Sequence, residues 1–291
     1  MKQLLILSGK GGTGKTTIAS AFIKLANAKA YSDCDVDAPN LHLVSGWADE
    51  PDRKDYYGLQ KAEIDLNLCI GCDLCQKSCR FDAISLNGEY QINPFACEGC
   101  SVCEFVCPAK AITMVPAVAG ELMLYSDREK AFSTAQLKMG SGNSGLLVTE
   151  VKKQMKSVAG NAEIAIIDGS PGIGCPVIAS LSGVDMVLIV AEPTVSGISD
   201  MKRIIKTARG FKTRIAVCIN KYDINIENSK HIQEICERQK LDFVGKIPFD
   251  FKVVEIINSG QTVVDADCIS GKIIREVYQK VISLLLEKQE F

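Results

Sequence analysis

Short, continuously apolar runs alternate along this chain with longer stretches in which apolar positions recur every three or four residues. Gln3–Leu7 is the first run, and Ile18, Phe22 and Leu25 set an apolar stripe on a helix over Lys15–Ala28. Lys29–Ser32 is a second short strand. The same rhythm returns after Gly145, with strands at Ile164–Ile167, Met186–Ala191, Ile215–Ile219 and Phe243–Gly245. Helices near Leu147–Val158, Ser199–Arg209, Glu227–Arg238 and Ile269–Glu287 separate them. Strands apolar on both faces and alternating with helices predict an α/β fold with a doubly wound, mostly parallel sheet.

Lys61–Val118 breaks that rhythm and carries an internal repeat with an offset of 28 residues. Asp65 matches Asn93, Gly71 matches Gly99, and Ala83-Ile84 matches Ala111-Ile112, with four cysteines in register in each half. A compact repeat between two parts of an α/β pattern predicts an inserted small α+β domain. The chain then divides into residues 1–60, the insert 61–118, and 119–291. Val118–Ser144, ending in Gly140-Ser141-Gly142-Asn143-Ser144-Gly145, reads as a loop connector.

Composition narrows the class. The 291 residues are 47% apolar and 23% charged, with 33 Lys+Arg against 35 Asp+Glu. This is a chain with a real core, and a net charge of −2 argues against a nucleic-acid binder. The apolar runs are far shorter than the ~20 residues a membrane span needs, and the first is too short for a secretory signal. A cytoplasmic protein without stable membrane association is expected. The Lys272–Lys288 stretch, with Ile273, Val277, Val281 and Leu284 on one face, reads as a closing helix packed on the sheet rather than a membrane-surface helix. Thirteen cysteines then stand out, because a reducing compartment leaves no use for disulfides.

Gly9-Lys10-Gly11-Gly12-Thr13-Gly14-Lys15-Thr16-Thr17 satisfies the phosphate-loop pattern between a predicted strand and a predicted helix. Its backbone N–H groups cradle phosphates, Lys15 reaches the β- and γ-phosphates, and the Thr16 hydroxyl suits Mg²⁺. Asp168-Gly169-Ser170-Pro171-Gly172 ends one predicted strand and Asp33-Cys34-Asp35 another, so all three carboxylates fall at carboxyl ends of strands, where open α/β sheets bind ligands.

The lysine directly after the first glycine, in Lys10-Gly11-Gly12-Thr13-Gly14-Lys15-Thr16-Thr17, resembles the loop of the MinD/ParA/Mrp and nitrogenase iron protein group of ATPases. Asp33-x-Asp35 with Asn40-Leu41 looks like that group's first switch, and Asp168-x-x-Pro171-Gly172 like its second. The resemblance implies an ATP-sandwiched homodimer in which Lys10 crosses to the partner's nucleotide, and slow, partner-stimulated hydrolysis. It implies that Asp35 orients the attacking water and that Asp33 and Asp168 support the Mg²⁺ shell. By the same resemblance Asn220 reads the adenine and Pro248, in Ile247-Pro248-Phe249, packs on it.

Cys69-x-x-Cys72-x-x-Cys75-x-x-x-Cys79 and Cys97-x-x-Cys100-x-x-Cys103-x-x-x-Cys107-Pro108 are ferredoxin-type runs. In two-cluster ferredoxins the fourth cysteine of each run serves the other cluster. One [4Fe–4S] cluster is therefore assigned to Cys69, Cys72, Cys75 and Cys107, and a second to Cys97, Cys100, Cys103 and Cys79. Zinc is the alternative for C-x-x-C spacing, but the third cysteine and the repeat favour iron and sulfur. Arg80 stands where a proline is expected after the first run. Of the remaining cysteines, Cys218 and Cys236 read as core residues. Cys175 lies past the second switch, where the nitrogenase iron protein has a cluster-binding cysteine; core packing is the simpler reading of it.

The whole chain looks like MinD-superfamily ATPases that carry an inserted ferredoxin domain. Three functions compete: ATP hydrolysis coupled to electron transfer toward an unknown redox partner, an iron–sulfur cluster carrier or assembly ATPase of the Mrp type handing clusters to an acceptor protein, and a positioning or scaffolding ATPase with structural clusters. Four cysteines for each cluster favour electron transfer, since a donated cluster needs exchangeable ligands. The insert begins after the first switch, at Lys61, and the chain returns before the second-switch strand, at Glu163, so chain continuity predicts coupling between nucleotide and clusters.

Overall fold

The computed structural model describes residues 1–287. From β1 (Lys2–Leu7) the chain passes through a glycine loop into α1 (Lys15–Leu25) and β2 (Ala30–Asp33), then by a 3-10 turn at Leu41–Val44 to β3 (Asp52–Tyr57). A separate small unit follows, made of β4 (Lys61–Ile64), α2 (Leu74–Ser78), β5 (Ile84–Asn87), β6 (Glu89–Ile92), α3 (Val102–Val106) and β7 (Ile112–Val115). β8 (Val118–Ser126) and β9 (Ala131–Leu137) return to the body, followed by α4 (Ser144–Val158), β10 (Ile164–Asp168) and α5 (Cys175–Leu181). Alternation continues through β11 (Met186–Ala191), α6 (Val195–Arg209), β12 (Arg214–Asn220), α7 (Ile226–Arg238), β13 (Asp242–Ile247), α8 (Lys252–Asn258) and α9 (Ile269–Leu286).

Nine strands form one sheet in the order β13-β12-β11-β1-β10-β2-β9-β8-β3. Pairing is parallel from β13 to β9, and antiparallel for β9 with β8 and β8 with β3. Helices cover both faces. Leu5 and Leu7 of β1 pack with α4, α5, α6 and α7, while Leu4 and Ile6 pack with α1, α8 and α9. This double burial is why the central strands read as unbroken apolar runs. α9 turns Ile274, Val277, Val281 and Leu285 into the core as the closing helix; Lys288, where that stretch was expected to end, lies outside the described residues.

The 118–144 segment differs from the expected loop: β8 and β9 fill most of it, leaving a short turn at 127–130 and an irregular stretch at 138–143. Gly120, Glu121, Ser133 and Thr134 interrupt the apolar pattern, yet Ser133 and Thr134 are fully buried and the Ser133 hydroxyl donates to Gln154 Oε1 at 2.7 Å. β3, Asp-Arg-Lys-Asp-Tyr-Tyr, was not anticipated. It is an edge strand in which only Tyr56 is buried, so its sequence is polar.

β3 and β8 are an antiparallel pair whose last contact is Gly58 N–H to Ala117 C=O at 3.3 Å. The unit from 61 to 115 grows from the tip of that hairpin. Within it β4 pairs with β7 and β5 with β6, around a small core of Ala62, Ala83, Ile84, Tyr90 and Ile112. The sequence repeat is also a backbone repeat. Gly71 and Gly99 have φ of 68° and 67°, Asp73 and Ser101 63° and 60°, and Asp82 and Lys110 50° and 51°. Asp65 and Asn93 each accept from the N–H two residues on at 2.9 Å and, through their carbonyls, from Cys69 and Cys97.

Candidate functional site

The carboxyl ends of the sheet strands meet around the glycine loop. Gly12 and Gly14 take φ of 77° and 87°, which L side chains rarely adopt. A β-carbon on Gly14 would lie 2.3 Å from Asn220 Nδ2. These glycines wrap the loop from β1 into α1, leaving Gly11 exposed and Thr13 buried. Lys15 is 6% exposed and its ammonium donates to Asp168 Oδ1 at 2.6 Å, while the Thr16 hydroxyl donates to Asp168 Oδ2 at 2.7 Å. Thr17 and Thr16 line a cavity with Asn40, Leu43 and Asn258.

Asp168 ends β10 and is paired in register with Asp33, which ends β2; both are fully buried. Asp33 Oδ1 accepts the Asp35 N–H at 2.9 Å, and Oδ2 accepts those of Asn40 and Leu41 at 2.9 and 3.0 Å. Both oxygens are thus engaged in holding the 33–41 loop, so Asp33 organises that loop. Burial and the Asp168 charge push its carboxyl up to about 7, against the pull of Lys15 and the backbone donors. Burial likewise raises Asp35. Burial alone would lower Lys15, but Asp168, Asp33 and Asp35 outweigh it and its pKa is raised. Three carboxylates around one ammonium leave surplus negative charge, and the hard oxygen donors Thr16 Oγ1 and Asp168 fit Mg²⁺. The second loop docks on the first: Gly169 N–H donates to Ile6 C=O at 2.9 Å and Gly172 N–H to Ser8 C=O at 3.0 Å.

On the other side of the loop Lys10 turns onto its own chain. Its ammonium lies 2.6 Å from Glu192 Oε2 and 3.4 Å from Thr194 Oγ1. Glu192 also pairs with Lys221 at 3.3 Å, and Lys221 donates to Gly12 C=O at 3.0 Å. Burial would raise the Glu192 pKa, but the two lysines hold it low. Glu192 and Lys221 had not been singled out as site residues; Glu192 directly follows β11, and the strand-end rule that found Asp168 applies to it equally. Asn220 Nδ2 donates to Thr13 C=O at 2.7 Å. Pro248 follows Ile247, the register partner of Asn220, so both stand at neighbouring strand ends.

In the hairpin-tip unit, one cavity is lined by Cys69, Cys72, Cys75 and Cys107, with Ile64 and Tyr90 among its walls. A second is lined by Cys79, Cys97, Cys100 and Cys103, with Ile84 and Met114. Each gathers three cysteines of one run and the fourth of the other. Among the described residues no three His, Cys, Asp or Glu side chains converge on a single-ion site. Four thiols around an apolar-walled cage fit a cluster. Burial raises the Cys75 and Cys103 thiols, and the Ala111 N–H points at Cys107 Sγ at 3.3 Å. Cys34, Cys218, Cys236 and Cys268 are buried, whereas Cys175 is exposed at the start of α5. Core packing is therefore not its role: Pro176 at the helix start and the glycines before it keep this turn on the surface.

A glycine loop opening α1 at the centre of a parallel sheet, with a buried lysine and strand-end carboxylates, defines an α/β nucleotide-binding ATPase. The family model described as the CobQ/CobB/MinD/ParA nucleotide binding domain matches residues 4–263, and the chain belongs to that family. An uncharacterised protein of Methanocaldococcus jannaschii is 33% identical over 285 residues, 96% of each chain. The iron-sulfur cluster carrier protein of Pyrococcus abyssi is 24% identical over 306 residues, covering 98% of this chain and 87% of its own. Among solved structures, the MinD cell division protein of Aquifex aeolicus shares the fold with a TM-score of 0.55 and 20% identity, covering 100% of this chain and 99% of that one. Pyrococcus horikoshii MinD complexed with Mg-ADP has a TM-score of 0.58 and 18% identity, with 100% and 99% covered. No helix among the described residues is long and apolar enough to cross a membrane.

Proposed function

We propose that this chain is an ATP-dependent iron–sulfur protein in which nucleotide state is coupled to electron transfer through two [4Fe–4S] clusters held in a ferredoxin-like insert. The observation that carries the reading is the gathering of eight cysteines into two crossed cages on the same chain as a phosphate loop. When bound, the clusters supply one-electron chemistry. Cys69, Cys72, Cys75 and Cys107 hold the first, and Cys97, Cys100, Cys103 and Cys79 the second. A zinc site is disfavoured because each run carries a third cysteine at a further two-residue step and the whole array repeats after 28 residues, the spacing of two-cluster ferredoxins.

In the ATPase part, Lys15 exchanges Asp168 for the β- and γ-phosphates, and Thr16 and Asp168 then face Mg²⁺. Asp35 orients the attacking water, Asn220 and Pro248 flank the base, and Lys10 leaves Glu192 to reach the nucleotide of a second copy. A cluster-carrier role is the second reading, and relatives named iron-sulfur cluster carrier protein favour it. Four thiols per cage from one chain weigh against it, since a departing cluster needs weaker ligation.

Anaerobically reconstituted full-length protein should hold about eight iron atoms per chain. It should accept and return electrons while keeping them. Stoichiometric zinc, or ATP-driven transfer of the iron to an apo-ferredoxin, would overturn the electron-transfer reading.

A further inference from the structure

The two halves of the cysteine repeat agree in sequence and in backbone, but they differ in what they touch. A β-carbon on Gly71 would meet nothing within 4 Å, whereas one on its counterpart Gly99 would lie 2.3 Å from Gln60 C=O and 3.1 Å from Leu59 Cβ. Lys61 donates to the Cys97 carbonyl. Phe95 and Glu98 reach the irregular segment before α4. A β-carbon on Gly140 would stand 3.2 Å from Phe95 Cδ1, and one on Gly142 3.3 Å from Glu98 Oε2. Their repeat counterparts are Asn67 and Ile70; Phe95 and Ile70 are both largely exposed, at 72% and 69%, so the halves differ in these edge contacts and not in burial.

From that segment the contacts lead back to the nucleotide loop. Gly145, in the first turn of α4, packs on Cys175, where a β-carbon would lie 3.1 Å from the carbonyl oxygen. Cys175 opens α5 directly after the Asp168–Gly174 loop, and Gly172 of that loop is bonded to Ser8. The Lys152 ammonium, buried on α4, donates to the Ser180 and Ser182 carbonyls at the far end of α5, both at 2.6 Å. α5 is thereby held to α4 at both of its ends, through Gly145 and Lys152.

We infer that the two cages have different roles: the cage of Cys79, Cys97, Cys100 and Cys103 is the nucleotide-responsive one, through Phe95 and Glu98, while the cage of Cys69, Cys72, Cys75 and Cys107 is the outward one. This rests on the proposed cluster binding and goes beyond it by giving the coupling a route and a direction. A loop that rearranges around the γ-phosphate displaces the α4–α5 pair, and the 138–143 segment passes that displacement to the Cys97–Cys100 loop. ATP biases the second cage only by as much as it favours one of the two arrangements.

The test is iron release to a coloured chelator from anaerobically reconstituted full-length protein, without nucleotide, with Mg-ADP and with Mg-ATP. Two phases are expected, assigned with Cys72→Ala and Cys100→Ala, each of which weakens one cage. ATP should change only the phase affected by Cys100→Ala, by about fivefold or more. The Phe95→Ala/Glu98→Ala double variant leaves every thiol in place. It should keep both phases and its ATP affinity but lose the ATP response, while Ile70→Ala keeps the response. An equal ATP effect on both phases, no effect on either, or an unchanged response in the double variant would overturn the inference. A wild-type chain that takes up no iron would instead remove the proposed function beneath it.

Discussion

At Lys15 a single ammonium, almost entirely buried, balances Asp168, Asp33 and Asp35. Replacing it removes the group proposed to bind the phosphates and also leaves buried carboxylates uncompensated, a change that ordinarily costs about 3–5 kcal/mol. Lys15→Met should therefore abolish ATP binding in calorimetry and lower the denaturation midpoint of the nucleotide-free protein. An unchanged midpoint would show that the Lys15–Asp168 pair contributes nothing to the fold. Asp35, partly exposed and less engaged by backbone donors than Asp33, should behave differently. Asp35→Ala should keep ATP affinity and slow steady-state hydrolysis by about 100-fold, in the range typical of removing a group that positions a reacting proton. The glycine loop, Lys15 and the strand-end carboxylates were legible in the sequence because spacing and secondary-structure context specify them together. Glu192 stands at a strand end as those carboxylates do, but no flanking motif marks it, and its role shows only where Lys10 and Lys221 share its carboxylate.

The element least legible was the β3–β8–β9 extension of the sheet. Apolar runs betray strands buried on both faces, but β3 is a polar edge and β9 buries Ser133 and Thr134. Helix α4 carries the other feature hidden from periodicity, the inward Lys152 among apolar neighbours. Its ammonium satisfies three carbonyls at the end of α5, from Ala179, Ser180 and Ser182. Lys152→Met should destabilise the protein by about 1–3 kcal/mol by leaving buried acceptors unpaired, measured by chemical denaturation. Burial lowers the Lys152 pKa to about 8, below that of the unfolded chain at 10.5. Between those values the unfolded state binds more protons, so the contribution of this group to stability rises with pH across that window. Lys152→Met should flatten that part of the pH–stability curve; an unaltered slope would mean that the lysine titrates as if exposed.

At the scale of the whole molecule, the insert hangs from the tip of the β3–β8 pair, where the Gly58–Ala117 hydrogen bond closes the hairpin. Insertions at such tips leave the parent core intact. Replacing residues 59–116 with a short glycine-containing turn should yield a folded chain that binds ATP with near-normal affinity and holds no iron; a chain that cannot fold would show that the insert is part of the ATPase core. The repeat and its position were legible because eight cysteines at fixed spacing leave few alternatives. The contacts that join the insert to the α4–α5 pair were not, because they run through glycines and a segment with no periodicity.

The claim that most needs testing is that nucleotide and cluster states are linked in one chain. The direct measurement is a potentiometric titration of the clusters, followed by electron paramagnetic resonance, at saturating Mg-ATP, at saturating Mg-ADP and without nucleotide. Linkage requires that the midpoint of at least one cluster differ between ATP and ADP, and that nucleotide affinity change reciprocally on reduction. Identical midpoints in all three states would contradict it, leaving the cysteine cages as passengers on an independent ATPase.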